Sequence, residues 1–345
     1  MRVTSMQDLA RVAGTIPTSG LIKSNSTDFL VDEIMPVQPG GDGEHLWLHI
    51  RKTGNNTDWV ARQLARWANV KPMDVGYAGL KDRHGVTSQW YSIYLPGKSD
   101  PEITALSIEG VELLQHKRHH RKLKRGTLAG NRFDIVVREL KGDTAQLPTR
   151  LEHVKQHGVP NYFGEQRFGH DMSNLAAAER LFNGERFKQH ERSLYLSAAR
   201  SWIFNQVLHQ RVRDNIWNTY LPGDVFMLDG RSACFADDGS DDIVTRLQTL
   251  AIHCTGPMWG QGVSMAQQDC LVLENAIAQQ FPIFCKGLEN VGMEQERRSL
   301  RLRVSDMQWR IEADVLHLSF ALTSGSYATM VLRELIKEKE NANER

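Results

Sequence analysis

Apolar residues in this chain change their period twice. They alternate with polar residues near both ends, and they repeat at helical spacing through the long middle. In 45–51, Leu46, Leu48 and Ile50 fall on one face and Trp47 and His49 on the other. Residues 88–95 are rich in aromatic and β-favouring types, and 133–137 alternates again after the turn dipeptide Gly130-Asn131. Toward the C-terminus Leu300, Leu302 and Val304 alternate with arginines, and Leu316, Leu318, Phe320 and Leu322 form another stripe of period two. Between the first strands, Thr57 is placed to N-cap a helix with Val60, Leu64, Trp67 and Ala68 on its inner face. The middle predicts helices over 173–182, 192–213, 265–280 and 241–250, while the Gly, Pro and Gln content of 251–268 reads as a loop. A length of 345 residues suits about two domains at roughly 150 residues each. The expectation is an α+β chain: one sheet domain from both ends (1–157 and 303–345), a helix-rich insert (158–302) and a cleft between them.

Charge has to be read by position. Lys+Arg number 42 and Asp+Glu 41, and a net charge of +1 speaks weakly against a nucleic-acid partner. Yet 51–150 carries +8, while 1–50 carries −3 and 201–300 carries −5; 151–200 is at +1 and 301–345 at zero. Such segregation can focus a positive field on one surface of a near-neutral molecule, although chance clustering of solvated charges gives the same count. Cys234, Cys254, Cys270 and Cys285 form no C-x-x-C pair, so buried reduced thiols are expected rather than a zinc site or a disulfide framework. The first residues include Asp8 and lack a continuous apolar run, which is no signal peptide, and no membrane span is evident. The chain reads as cytoplasmic.

Four segments carry candidate chemistry. In VGYAGLKDRHGVTSQWYSIYL (75–95) a short strand leads to Asp82, flanked by Lys81, Arg83 and His84, on a tight connection at the sheet edge. Nearby positive charge favours an ionised carboxylate, which can act as nucleophile or base. The same residues also make an ordinary polar turn with Asp as turn former. HKRHHRKLKR (116–125) holds six Lys/Arg and three His with no acid between Glu112 and Asp134. This is a plausible RNA backbone contact or a solvated basic loop, and its interleaved cations oppose metal binding. VPNYFGEQRFG (159–169) gathers aromatics around Arg167, suited to stacking on bases or to packing at a domain junction. In SGSYATMVLREL (324–335), Tyr327 sits beside Ser326, a possible helix cap, at the start of an amphipathic helix.

These segments resemble the TruD family of tRNA pseudouridine synthases. The matching blocks are TDFLVDEI (27–34), GEHLWLHIRKTGNNT (43–57), GYAGLKDRHGVTSQW (76–90), KRHHRKLKRGTLAGNRF (117–133), GVPNYFGEQRFG (158–169) and GSYATMVLREL (325–335). The resemblance implies a pseudouridine synthase core with a mixed, largely antiparallel sheet, interrupted by the helix-rich α/β TRUD domain. It implies isomerisation of uridine 13 of tRNA, with Asp82 as nucleophile and no cofactor or metal. Attack at C1′, attack on the base and formation of a glycal are all open as routes. Phe29, Asn131 and Tyr327 match the uridine-pocket positions; Lys23 looks like the basic partner of Asp82, and Phe133 is placed to pack against the base. Arg167 is a cleft residue without an assigned role. Lys117, Arg118, Arg121 and Lys122 are the expected RNA contacts of a protein acting as a monomer, with tRNA as its partner. Two departures stand out: Gly85 where the family often has Ala, and Tyr327 where Phe is common. The alternative is an RNA-binding or folding protein without activity, and RNA hydrolysis is remote because no metal-ligand cluster or paired His emerges.

Overall fold

The computed structural model describes residues 4–83 and 85–339; His84, from the 81–85 turn, lies outside them. The chain first forms β1 (Thr18–Leu21), β2 (Phe29–Ile34), β3 (His45–Thr53), α1 (Thr57–Trp67), β4 (Val75–Tyr77), β5 (Val86–Tyr94), β6 (Val111–His119) and β7 (Gly130–Gly142). The middle then folds as α2 (Leu147–His157), β8 (Val159–Pro160), α3 (Ser173–Phe182), α4 (Gln189–Arg213), β9 (Val225–Leu228), β10 (Cys234–Ala236), α5 (Ile243–Gln248) and β11 (Ile252–Met258). After these come α6 (Gln268–Ala278), α7 (Pro282–Asn290), β12 (Glu296–Ser299) and β13 (Arg301–Leu302). The last elements are β14 (Ser305–Glu312), β15 (Val315–Thr323), α8 (Ala328–Leu335) and β16 (Lys337–Glu338). They divide into two compact units. A sheet unit holds Pro17–Gln146, Val304–Ser326 and the described part of Ile336–Arg345. A helix-rich unit holds the described part of Met1–Ile16 with Leu147–Arg303 and Tyr327–Leu335.

The sheet unit is built on the order β14-β15-β7-β2-β5-β3-β6, with β1, β4 and β16 paired to it off that path. Its pairings are antiparallel except β2 with β5 and β1 with β16, so the sheet is mixed and largely antiparallel. Period-two alternation does the work here. Leu46, Leu48 and Ile50 of β3 join Tyr91 and Ile93 of β5 and close on Val60, Leu64 and Ala65 of α1. Truncating such a leucine to alanine costs about 2–5 kcal/mol. On the other face Trp47, Trp90 and Leu123 cluster, and the Trp47 indole donates to the Arg121 carbonyl at 2.8 Å. Thr57 does not cap α1: Asn56 occupies that position, and the Thr57 hydroxyl is used in the site described below.

The helix-rich unit buries most of α4 from Ala198 onward and adds a small sheet, β10-β9-β11-β12. Helix α4 starts at Gln189, a turn earlier than its apolar register suggests, because the Glu191 carboxylate accepts the Lys188 N–H at 3.0 Å. The segment expected as a loop contains β11. Pairing of β11 with β9 ends at Cys254, and Pro257 lies beyond that point, where a residue without an N–H is tolerated. The stripe at 300–304 is likewise broken rather than one strand. The Ser299 hydroxyl donates to the Arg301 carbonyl at 2.6 Å, and β13 turns away to pair with β8. Cys254, Cys270 and Cys285 are buried free thiols, and burial raises the pKa of each. No helix among the described residues is long and apolar enough to cross a membrane.

Candidate active site

Along one edge β5 changes partner. Tyr91–Ile93 pair with β4, Val86–Ser88 pair with β2, and the chain between β4 and β5 leaves the sheet where those two partners separate. Trp90 lies at the split, and its N–H is taken by the buried Glu33 carboxylate of β2 at 2.9 Å. The connection from Tyr77 at the end of β4 to Val86 at the start of β5 is therefore longer than a tight turn, and it carries Asp82.

Its backbone is fastened from beneath. Lys52, only 1% exposed, donates from Nζ to the carbonyls of Asn55 (2.7 Å), Asp82 (2.9 Å) and Lys81 (3.5 Å). The Thr57 hydroxyl accepts the Lys81 N–H at 3.0 Å and donates to Gln89 Oε1 at 2.8 Å, while Gln89 Nε2 donates to the Gly79 carbonyl at 3.1 Å. Arg83 Nε adds a bond to the Gly54 carbonyl at 3.0 Å. Buried polar groups without such partners would cost on the order of 1–3 kcal/mol each. Burial pushes the Lys52 ammonium down to about 8, with the Asp82 charge opposing the shift and Lys81 adding to it.

Above this frame the Asp82 side chain is about one-third exposed, and its Oδ2 accepts a hydrogen bond from Lys23 Nζ at 2.9 Å. Lys23 has φ 55°, a left-handed backbone, and its ammonium lies 4.7 Å from the centre of the Phe29 ring. Phe29 meets Phe133 edge-on at 6.3 Å, and Phe133 stacks on Phe320 at 5.5 Å. Lys81 donates to Asn131 Oδ1 and stands 3.7 Å from Glu33 Oε1. Burial raises the Glu33 carboxyl and lowers the Lys81 ammonium, and the attraction between the two opposes both shifts. At Gly85 the backbone approaches β2 closely: a Cβ would stand 2.7 Å from the Phe29 carbonyl oxygen, so the alanine common in the family would need a local shift here.

Five of the residues expected from the sequence thus meet within the sheet unit: Asp82, Lys23, Phe29, Phe133 and Asn131. Tyr327 and Arg167 belong to the helix-rich unit. There the Tyr327 carbonyl accepts the Met330 N–H at 3.0 Å, and Arg167 donates to Ser197 Oγ at 2.8 Å. Lys52, Glu33 and Gln89 escaped the sequence reading. Alternation carries a signal for two of them: Lys52 continues the inward register of Leu46, Leu48 and Ile50, and Glu33 that of Phe29 and Val31.

The basic segment begins on the edge strand β6 and returns beside β4. Leu123 N–H donates to Ser92 Oγ at 2.9 Å, and Gly126 N–H to the Ala78 carbonyl at 2.8 Å. Positive charge therefore runs alongside the strand that leads to Asp82. Lys117, Arg121 and Lys122 are exposed. Arg118 turns inward, donating to Asp100 Oδ1 at 2.6 Å and the Lys98 carbonyl at 2.7 Å.

The chain matches a family model described as tRNA pseudouridine synthase D (TruD) over residues 8–186 and 184–335. It is 46% identical over 338 residues to the tRNA pseudouridine synthase D of Hydrogenovibrio crunogenus, covering 97% of this chain and 98% of that one. It is 50% identical over 334 residues to the protein of the same name from Methylococcus capsulatus, covering 96% and 94%. Its fold is also similar to the crystal structure of a Methanosarcina mazei protein described as a tRNA pseudouridine synthase D. That match has a TM-score of 0.73 at 21% identity and covers 95% of this chain and 94% of the other.

Proposed function

The chain belongs to the tRNA pseudouridine synthase D (TruD) family, and from that premise we propose that it isomerises uridine 13 of tRNA to pseudouridine without a cofactor, Asp82 being the nucleophile. The observation that carries this reading is the presentation of Asp82. An accessible carboxylate stands on a backbone locked by Lys52, Thr57 and Gln89, with Lys23 holding it at 2.9 Å. Locking the backbone fixes the direction of attack before substrate arrives.

The reaction needs no electrons from outside. The N1–C1′ bond breaks, a C5–C1′ bond forms, C5 loses its proton and N1 takes one up. The bond that Asp82 makes is broken again, and the carboxylate returns. Uridine must leave its stack to be reached. Phe29 and Asn131 sit beside the Asp82 loop in the sheet unit and are proposed to contact the uridine, with Phe133 packing against the base; the family positions assign Tyr327 to the uridine as well. Stacking on an aromatic face returns roughly 1–3 kcal/mol per base. Lys117, Arg121 and Lys122, with Arg118 in their midst, follow the RNA backbone. The TRUD insertion is proposed over 158–302; the helix-rich unit also takes in the described part of Met1–Ile16, residues 147–157 and Tyr327–Leu335, which the expected boundaries give to the sheet domain. A monomer acting in the cytoplasm completes the reading.

The test is tritium release from tRNA labelled at C5 of uridine, together with mapping of pseudouridine along the product. Asp82→Asn is expected to lose at least about 10⁴-fold in rate while keeping its thermal melt. Undiminished release by this variant overturns the nucleophile, and pseudouridine at another position overturns the assignment of uridine 13.

A further inference from the structure

Two neighbouring arginines on β12 are treated differently by the fold. Arg297 is held by both oxygens of Glu274, at 2.7 and 2.8 Å, and bonds Thr255 as well. Arg298 pairs with no carboxylate among the described residues. It donates to Asn161 Oδ1 at 2.7 Å, and its Nε is buried without an acceptor. Its guanidinium carbon lies 4.1 Å from the centre of the Phe163 ring. Arg167 reaches the same ring at 5.3 Å. Among the described residues its side chain gives one bond, from Nη1 to Ser197 Oγ, and it too keeps a buried Nε without an acceptor.

Two like charges therefore converge on one aromatic ring, with no acid paired to either among the described residues. Burial pushes the Arg298 guanidinium down to about 10, Arg167 pushes it the same way, and Tyr327 opposes the shift. Elsewhere in this unit Arg211 closes on Asp224 and Arg200 on Glu296, while the buried Arg301, without an acid among the described residues, still has its Nε taken by His253 and two bonds to backbone carbonyls. Two like charges side by side without an acid are unfavourable, and an oxyanion held by the guanidinium Nη groups would supply the missing charge. Guanidinium forks match phosphate oxygens in geometry.

We propose that Arg167 and Arg298, resting on Phe163, form a phosphate site that holds a phosphodiester group of the RNA substrate. This rests on the tRNA reading given above. The experiment measures tRNA affinity against salt for the wild type, Arg167→Gln and Arg298→Gln. In parallel, inorganic phosphate is tested for protection of each protein against thermal unfolding. Each variant is expected to lower the slope of log affinity against log salt by about 0.7–0.9, the loss of one phosphate contact. Phosphate is expected to raise the melting temperature of the wild type but of neither variant. A merely structural role would move melting temperatures and leave the salt slope alone.

Wild-type binding with unaltered slopes in both variants overturns the inference and leaves the tRNA reading standing. Protection by phosphate with unaltered slopes assigns the site to a free phosphate and overturns the RNA assignment. A wild type that neither binds nor modifies tRNA overturns the tRNA reading and this inference with it. If Arg298→Gln fails to fold, Arg167→Gln decides alone, because that side chain gives up a single hydrogen bond.

Discussion

Lys52 of the sheet unit and Arg211 of the helix-rich unit are both 1% exposed, and they are satisfied by different chemistry. Arg211 meets the Asp224 carboxylate at 2.5 and 3.0 Å and adds bonds to the carbonyls of Ile216 and Thr219. Lys52 meets backbone carbonyls, one of them that of Asp82 itself. The carboxylate contacts hold Arg211 above the usual arginine range despite burial, whereas burial prevails at Lys52 and brings it to about 8. A cation closed on an acid stays charged at any working pH and serves the fold. An ammonium closed on carbonyls can lose its proton near neutrality, and this one lies beneath the loop that carries the proposed nucleophile.

The largest effect that could break this contrast is on stability. Removing the acid in Asp224→Ala leaves Arg211 charged and buried without its partner, at a cost of about 3–5 kcal/mol. Denaturant unfolding of the variant should show that loss. A change below 1 kcal/mol would mean that Arg211 is held by its carbonyl partners, and the two cations would then be alike.

Lys52→Met is the smaller and more informative change. It strips donors from the carbonyls of Asn55, Lys81 and Asp82, and turnover is expected to fall about 10²-fold through misplacement of the loop. Its pH dependence separates fold from function. The folded pKa of about 8 lies below the ordinary lysine value of 10.5, so between those two values the unfolded chain binds more protons. Stability contributed by this group therefore rises across that window, and below about 8 the full cost of burying the charge is present. Activity should move the opposite way. Above about 8 the amine keeps two donors for three carbonyls, so turnover should fall along an alkaline limb that Lys52→Met lacks. The pH profiles of turnover for the two proteins decide it, and an identical limb in both would assign it to another group.

The contrast also shows why the site was only partly legible in the sequence. Alternation or β-favouring composition placed β3, β5, β7 and β15 but left β1, β2, β6 and β14 unread; the register it implies also points Lys52 and Glu33 at the core, where an ionisable residue is itself a signal. It could not say what they touch. Lys52 meets Asp82 because β3 pairs with β5, and Lys23 meets Asp82 across a separation of 59 residues. Lys23 had no local pattern and came only from family resemblance. Thr57 looked like a helix cap because a hydroxyl ahead of an apolar helical face reads that way; its actual partners, Lys81 and Gln89, are supplied by the loop and by β5. Pro257 misled in the other direction, since a proline breaks a strand only where its N–H is wanted.

The smallest effects concern the surface of the sheet unit, and they sharpen the same distinction between charge used within the fold and charge available to a partner. Within KRHHRK the cations are not equivalent. Arg118 is only 16% exposed at its side chain and bridges Asp100 to the carbonyls of Lys98, Leu95 and Gly43, whereas Lys117 and Arg121 stand exposed. Lys122 is exposed too, though it also donates to the Met73 carbonyl. Replacing Lys117, Arg121 and Lys122 singly by Gln should lower the salt slope of tRNA binding by about 0.7–0.9 each and leave melting temperatures nearly unchanged. Arg118→Gln should instead lower the melting temperature, because its loss frees an edge-strand clamp as well as a charge. Slopes that fall equally for all four residues would place Arg118 among the RNA contacts on the same footing. Slopes unaltered in Lys117, Arg121 and Lys122 variants would move the RNA path off β6 altogether.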